Sequence, residues 1–405
     1  MSIQIRTIAA DEREEWVRSS DRSFSEIPKD DQVASFLPVI ETDRSFAAVD
    51  GARIVGTAAA ITFRIVVPGG NRVPTAGVTM VGVNPTHRRR GINTRMMDAI
   101  LEQAVERGEP LAALFASEGA IYGRFGYGPA SFLAEFEAES ARMAFVRGIE
   151  VDGRIELLSK EDALPIISDV YDRGLRTGGA ERTDAQRDLV FSHLWHDEVD
   201  KPWFYAVHRD DAGQPDAYAV YTMKHEWPRS VPSGKVEVKE SIAATPEGNA
   251  AIWRYLFDID LVATVEAWNR PADEPLLLLV REPRRLRLSV VDGLWVRLLD
   301  IPVALVSRRY ARDGRLVVEV TDPFRPANDG RYELVVEDGV ATCERTDAEP
   351  DLLGTVNALG SAYLGGVSFR HLAEARQVEE RRDGALGLAD AMFSSTPGPW
   401  CPWAF

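Results

Sequence analysis

Residues 76–116 hold the pattern that most constrains the fold of this chain. An apolar stretch, residues 76–83, is followed by a turn at Asn84 and Pro85, a basic tract and a long segment, residues 91–106. Apolar residues recur in that segment three and four positions apart, which is the spacing of one face of a helix. Gly108 and Pro110 end the helix, and the apolar residues 111–116 follow. The order predicts a strand, an amphipathic helix and a buried strand.

Antiparallel strands are predicted before this unit. Residues 46–49 and 54–63 flank Asp50 and Gly51, a pair that suits the positive φ angles of a hairpin turn. After the unit, a short helix is predicted to hold Tyr122. The first third of the chain is therefore expected to be a mixed sheet with helices.

The remaining sequence predicts two further segments, because 405 residues exceed what one core usually organises. In the second segment a helix starting near Thr245 and a strand at residues 276–280 repeat the first unit in degenerate form. The third has alternating strands at residues 315–320 and 332–336 and helices from Asp351 onward. The composition is that of an α+β protein with mixed sheets.

Composition excludes several classes of protein. No apolar run approaches the roughly 20 residues that span a membrane, and residues 1–14 lack the apolar core of a secretory signal. Two cysteines, Cys343 and Cys401, provide neither a disulfide framework nor a thiolate metal site, so a reducing cytoplasm is expected. The net charge of -16 opposes non-specific nucleic-acid binding and favours cationic partners, although the same charge could serve solubility alone.

The histidine pair His193 and His196 lacks a nearby carboxylate pattern, and we predict no metal site there or elsewhere.

The basic tract has the chemistry of a phosphate site. Backbone N–H groups in the first turn of a helix have no internal partner and carry the positive end of the helix dipole. Gly91 lets that backbone approach a ligand closely, and Arg88, Arg89 and Arg90 attract phosphates. A generic helix with a basic cap would look similar, but this tract lies between a strand and a strongly amphipathic helix.

Residues 88–93, RRRGIN, resemble the pyrophosphate motif of the GNAT N-acetyltransferases: Gln or Arg, two residues, Gly, one residue, then Gly or Ala. Asn93 departs from the motif at the last position. The resemblance implies that acetyl-CoA is the acetyl donor and that the preceding strand pairs with its pantetheine arm. The implied cofactor-binding residues are Val81, Gly82, Val83, Arg89, Arg90, Gly91, Ile92, Asn93, Thr94, Ser117 and Glu118.

A second element, SEGAIYGRFGY at residues 117–127, resembles the GNAT segment in which a tyrosine lies four residues before a glycine-aromatic pair. Tyr122, Gly126 and Tyr127 occupy those places. A phenol beside the leaving sulfur can protonate it, so Tyr122 is the candidate general acid. A core tyrosine with a satisfied hydroxyl is the alternative for any tyrosine taken alone.

These two elements, together with the end WCPWAF, resemble the Eis-like (enhanced intracellular survival) branch of the GNAT superfamily. The resemblance implies tandem GNAT-like domains at 1–148 and 149–284 and a domain like sterol carrier proteins at 285–405. It also implies that the terminal carboxylate of Phe405 accepts a proton in the first domain. An extended tail is consistent with Pro397, Pro399 and Pro402.

Resemblance further implies a homohexamer and a pocket for polycationic amines such as aminoglycosides, with Glu26, Phe36 and Met80 at the matching positions. Each of these three residues has an ordinary alternative as helix surface or core. Two other functions stay open at this point: acetylation of protein lysine, and carriage of an apolar ligand by a protein whose GNAT domain is vestigial.

Overall fold

The structure is a computed structural model, and it describes residues 3–193 and 201–405. Within these ranges the strands are β1 (Gln4–Thr7), β2 (Ser45–Asp50), β3 (Arg53–Val66), β4 (Arg72–Val83), β5 (Leu111–Phe115), β6 (Gly128–Pro129), β7 (Phe132–Glu139), β8 (Arg154–Leu158), β9 (Trp203–Arg209), β10 (Pro215–Lys224), β11 (Gly234–Ala243), β12 (Val262–Pro271), β13 (Ser289–Asp292), β14 (Leu294–Leu298), β15 (Gly314–Thr321), β16 (Gly330–Glu337), β17 (Val340–Arg345), β18 (Leu352–Thr355) and β19 (Val378–Glu380).

The α-helices of the same ranges are α1 (Arg13–Ser23), α2 (Asp30–Phe36), α3 (Ile92–Glu106), α4 (Gly119–Tyr122), α5 (Lys160–Gly174), α6 (Asp184–Val190), α7 (Pro246–Phe257), α8 (Leu276–Leu279), α9 (Ile301–Val306), α10 (Val356–Tyr363), α11 (Phe369–Glu374) and α12 (Ala385–Phe393). None of the helices described is long and apolar enough to cross a membrane.

The chain forms two compact units. The first comprises the described parts of residues 1–131, 177–198 and 293–405, and the second those of 132–176 and 199–292. The domain limits implied by the resemblance, 1–148, 149–284 and 285–405, stay a proposal.

A seven-stranded sheet organises the first unit, in the order β1-β2-β3-β4-β5-β14-β6. The predicted hairpin is present, since β2 and β3 pair antiparallel around Gly51. The predicted strand, helix and strand are β4, α3 and β5. Buried residues of α3, among them Met97 and Leu101, pack on one face of the sheet, while Trp16 of α1 packs on the other and donates to the Phe46 carbonyl.

The first unit also holds a five-stranded sheet, β17-β16-β15-β18-β19. Its core is continuous with buried residues of α9, α10 and α12 and of the C-terminal tail, including Trp403. Between β15 and the parallel β18 the chain makes the antiparallel strands β16 and β17, so both predicted strands of the third segment are present.

The second unit has its own seven-stranded sheet, β13-β7-β12-β11-β10-β9-β8. The parallel strands β11 and β12 flank α7, whose N-cap is Thr245 as predicted. The predicted strand at residues 276–280 is wrong, because residues 276–279 form the short helix α8. Leu276 is fully buried there and Leu278 is 82% exposed, which a buried strand would not allow. Leucine is a good helix former, and the β-branched residues that favour a strand lie earlier, in β12.

Candidate active site

The site begins where β4 and β5 separate. The two strands pair in parallel only at Thr75, Ala76 and Gly77, which face Leu111, Ala112 and Ala113. A register shift against β3 follows, opposite Met80, whose φ is +52°. A bulge of this kind bends and twists a strand, so the second half of β4 turns away from β5. The gap between the strands opens towards the start of α3.

A cavity of about 670 Å³ occupies this part of the first unit. The residues that line it come from the ends of α1, β4, α3 and α4: Ser23, Phe24, Ser25, Val81, Gly82, Val83, His87, Arg88, Arg89, Gly91, Ile92, Asn93, Thr94, Ser117, Glu118, Ile121, Tyr122 and Arg124. Every residue proposed from the sequence for the cofactor therefore lines it, with the exception of Arg90.

The first turn of α3 presents a bare backbone to the cavity. Gly91 is its N-cap, with φ +73° and ψ 8°, and no side chain caps the helix. An added Cβ at Gly91 would meet no atom within 4 Å, so the space in front of this backbone is open. The N–H groups of the first helical residues have no carbonyl one turn earlier to bind. Together these features make an anion-binding helix start.

Arg88 is fixed beside the cavity by backbone carbonyls. Its side chain donates to the Ser23 carbonyl over 3.1 Å and to the Val83 carbonyl over 3.3 Å. This guanidinium therefore joins the end of α1 to the end of β4. The side chains of Arg89 and Arg90 are exposed, where they add positive charge in front of the helix start.

Tyr122 closes α4 on the wall of the same cavity and is 6% exposed. Burial raises the pKa of its phenol above the ordinary value; a hydrogen bond with Ser117 opposes the rise, and the charge of Glu118 adds to it. The ring of Tyr127 meets it nearly edge-on, with centroids 6.3 Å apart. At neutral pH the phenol is therefore protonated and able to donate.

The C-terminal tail reaches the fork between β4 and β5. The ring of Phe405 lies 4.7 Å from that of Phe63 and 5.6 Å from that of Phe115, measured between centroids. Phe63 covers Gly77, where an added Cβ would lie 2.0 Å from its ring. Trp400, Cys401 and Trp403 are buried, so this part of the tail is packed against the protein.

The proposed acceptor residues are only partly brought together. Phe36 and Met80 line one small cavity of about 20 Å³ and belong to one apolar cluster. Glu26 is exposed and lies outside both sets of lining residues; its N–H donates to the Asp21 carbonyl over 2.9 Å. Burial raises the pKa of Asp21, and the charge of Glu26 adds to the rise.

Ser23 is a cavity residue that sequence reasoning missed. Its Cβ would lie 2.6 Å from a Cβ on Gly82, so the end of α1 packs directly on β4. Its hydroxyl is within 3.0 Å of the Asn84 side-chain oxygen and of the Ser19 carbonyl. The available signal was the spacing of Ser19 and Ser23, four residues apart, because small residues one turn apart let a helix approach its neighbour closely.

No group of three potential metal ligands occurs in the part of the chain that the structure describes. Of the histidine pair, His196 lies outside the described residues.

Comparison with known families finds three matches along the chain. A model of the acetyltransferase (GNAT) domain matches residues 4–130, a second GNAT-domain model matches residues 178–298, and a sterol carrier protein domain matches residues 301–402. This order confirms the predicted fold class, tandem GNAT domains followed by a sterol-carrier-like domain.

Relatives match over nearly the whole chain. An N-acetyltransferase of Streptomyces avermitilis is 39% identical, with all of both chains covered. N-acetyltransferase Eis of Mycobacterium tuberculosis is 31% identical over 92% of each chain. The crystal structure of Eis1 from Mycobacterium abscessus is similar with a TM-score of 0.88 and 33% identity, covering 99% of this chain and 100% of the other. The chain therefore belongs to the Eis-like branch of the GNAT superfamily, and it is an acetyl-transfer enzyme.

Proposed function

We propose that the protein transfers an acetyl group from acetyl-CoA to a primary amine of a polycationic small molecule such as an aminoglycoside. One observation carries the proposal: the open helix start at Gly91 and the protonated phenol of Tyr122 face the same cavity, at the fork between β4 and β5. An anion site and a proton donor on one cavity suit a phosphate-bearing donor whose leaving group must be protonated.

The residues present fit acetyl-CoA. The N–H groups of Ile92, Asn93 and Thr94 at the start of α3 suit the pyrophosphate, and the open space before Gly91 admits it. Val81, Gly82 and Val83 lie beyond the residues of β4 that pair with β5. Apart from the Val83 carbonyl, which accepts from Arg88, this length of β4 can bind the pantetheine arm by backbone hydrogen bonds. When bound, acetyl-CoA supplies a thioester whose carbonyl accepts the amine and whose sulfur leaves.

The two proton transfers are assigned to Tyr122 and Phe405, which are far apart in the sequence. Tyr122 donates its phenol proton to the sulfur as the carbon–sulfur bond breaks. The carboxylate of Phe405 accepts the proton that the substrate ammonium loses, directly or through water. A terminal carboxylate has an intrinsic pKa of about 3.5, so it is a weak base and its position matters more than its strength. The ring of Phe405 packs on Phe63 and on Phe115 of β5, although Phe405 itself is not among the residues that line the cavity.

Charge supports a cationic acceptor. The chain carries a net charge of -16, which favours the approach of polycations. Glu26 is an exposed carboxylate available to an ammonium group, and Phe36 and Met80 belong to one apolar cluster.

Turnover by three variants tests the mechanism. Extending the chain by a few residues beyond Phe405 moves the carboxylate without changing a side chain, and Tyr122→Phe removes only the phenol. Both should keep acetyl-CoA affinity in calorimetry and lose about 10²-fold in turnover of an aminoglycoside. Phe405→Tyr keeps both the aromatic ring and the terminal carboxylate and serves as the control. Normal turnover by the extended protein would remove the carboxylate from the mechanism, and faster acetylation of a lysine peptide than of aminoglycosides would make protein lysine the acceptor.

We propose in addition that the enzyme is a homohexamer and acts in the cytoplasm. The hexamer is what the resemblance to the Eis-like branch implies. Cys343 and Cys401 are both buried, and neither is in a disulfide, which is consistent with a reducing compartment.

A further inference from the structure

The turn that follows Tyr122 is short and closes on itself. The N–H of Gly126 donates to the Gly123 carbonyl over 3.1 Å, and that of Tyr127 to the Tyr122 carbonyl over 3.4 Å. These bonds leave the carbonyls at Phe125 and Tyr127 directed out of the turn. What binds those carbonyls determines where the turn, and with it Tyr122, is held.

Asn357 clamps both ends of this turn. Its side-chain amide donates to the Gly123 carbonyl over 2.6 Å and to the Tyr127 carbonyl over 2.9 Å. Asn357 is the second residue of α10, whose N-cap is the Thr355 hydroxyl. One NH₂ group on a capped helix therefore bridges the residue after Tyr122 and the residue before β6.

Arg297 holds the middle of the turn. Its guanidinium donates to the Phe125 carbonyl and, over 2.6 Å, to Asp322. Both side chains of this ion pair are fully buried, and Asp322 also accepts from Asn328 over 3.0 Å. An added Cβ on Gly126 would lie 1.5 Å from Arg297, so the backbone of the turn rests directly on this guanidinium.

Three carbonyls of one five-residue turn thus accept hydrogen bonds from two side chains that lie far along the chain. The buried Arg297–Asp322 pair and a capped helix are rigid supports, whereas the turn itself contains two glycines. The support therefore determines the position of the turn more than the turn's own sequence does.

We propose that Asn357 and Arg297 are positioning residues for acetyl transfer, which hold the phenol of Tyr122 at the cavity wall through the turn that follows it. The inference rests on the proposed role of Tyr122 as proton donor. Neither side chain lines the cavity that holds the helix start, so both act on the reaction through the turn that follows Tyr122 and not by contact with the cofactor.

Asn357→Asp tests the clamp with almost no change of shape. A carboxylate oxygen replaces the donating NH₂ and faces two carbonyls, so both bonds are lost. We expect kcat with an amine acceptor to fall tenfold to a hundredfold, as about 1 Å of misplacement would cause. Acetyl-CoA affinity, measured by calorimetry on the full-length protein, should change less than about twofold, because the helix start at Gly91 is untouched.

The pH profile of kcat gives an independent measurement. Burial holds the pKa of Tyr122 above its ordinary value, and a proton donor works only below its pKa. A turn that moves towards solvent relaxes that pKa downward, so the alkaline limb of kcat should move to lower pH in Asn357→Asp. A purely structural loss of active protein would lower kcat equally at every pH.

The double variant separates this inference from the proposed function. In a Tyr122→Phe background Asn357→Asp should have no further effect on kcat, since the group it positions is gone. Additive losses would refute the positioning role and leave the acid role intact. Normal turnover by Tyr122→Phe alone would refute the acid role.

Thr355→Ala is the matched control. It removes the cap of the same helix two residues before Asn357, and so lowers thermal stability while leaving the clamp in place. Its kcat should equal that of the parent; a loss as large as that of Asn357→Asp would show that α10 acts through stability alone and overturn the proposal. If Asn357→Asp does not fold, Asn357→Ser, which retains one donor, is measured in the same way and should show the same split between kcat and affinity.

Discussion

Gly91 and Gly108 form a matched pair for testing the proposed phosphate cradle, which is the start of α3 at residues 91–94. They flank the two ends of α3, with φ of +73° and +72°, and an added Cβ would meet no heavy atom within 4 Å at either position. Alanine at each therefore brings the same backbone strain and no steric clash. The left-handed conformation costs an L-residue about 1–2 kcal/mol, so each variant should lose that much free energy of unfolding.

Only Gly91 lines the cavity, so acetyl-CoA affinity should distinguish the two variants. The methyl group of Gly91→Ala projects into the space before the first-turn N–H groups and keeps a pyrophosphate from closing on them. We expect affinity to fall at least tenfold, about 1.4 kcal/mol, and Gly91→Val to lose more. Calorimetry with acetyl-CoA measures the affinity and chemical denaturation the stability. An unchanged affinity in Gly91→Ala, or an equal loss in Gly108→Ala, would refute the assignment of this loop.

Three further predictions concern stability and assembly. Glu109→Ala should destabilise the first unit by about 3–5 kcal/mol in denaturation, because it leaves the fully buried Arg44 without its carboxylate partner; a loss below about 1 kcal/mol would contradict this. A hydrogen bond from Arg6 lowers the pKa of Glu12 to about 2, so this carboxylate stabilises the fold above its unfolded pKa of about 4.3, and the contribution disappears as pH falls towards 2. Glu12→Gln should weaken the acid dependence of stability between those two pH values. An identical dependence in the variant would show that the Arg6–Glu12 pair does not contribute to stability. Light scattering should find a hexamer, and a monomer at micromolar concentration would disprove the proposed assembly.

Local patterns predicted the elements that depend on neighbouring residues. The spacing of apolar residues in α3 and the Asp50–Gly51 turn both lie within a few positions of sequence, and the structure has them. The prediction of a strand at the leucine run of α8 was wrong, because four leucines suit one helical turn as well as a strand and only the flanking residues decide between them.

Those parts of the site that lie within short sequence motifs were predictable as well. The loop at residues 88–94 and the tyrosine segment at residues 117–127 are each continuous in sequence, and residues of both line one cavity. The hydrogen bonds of Asn357 and Arg297 span more than 150 residues, and no periodicity or motif carries such a pairing. The position of Glu26 was also not predictable from spacing. Resemblance assigned Glu26 to the acceptor pocket, but the residue is exposed and lies just after the end of α1.

The strand β14 has a consequence for how the enzyme is made. It lies between β5 and β6 in the first sheet, yet it is translated after the whole of the second unit. A nascent chain that ends before Leu294 leaves the inner edge of β5 unpaired, and an unpaired apolar edge is a template for aggregation. The seven-stranded sheet of the first unit is therefore completed only after the ribosome has passed residue 298. Fragments that stop at Ser131 should be insoluble even though they contain every residue of the proposed phosphate cradle.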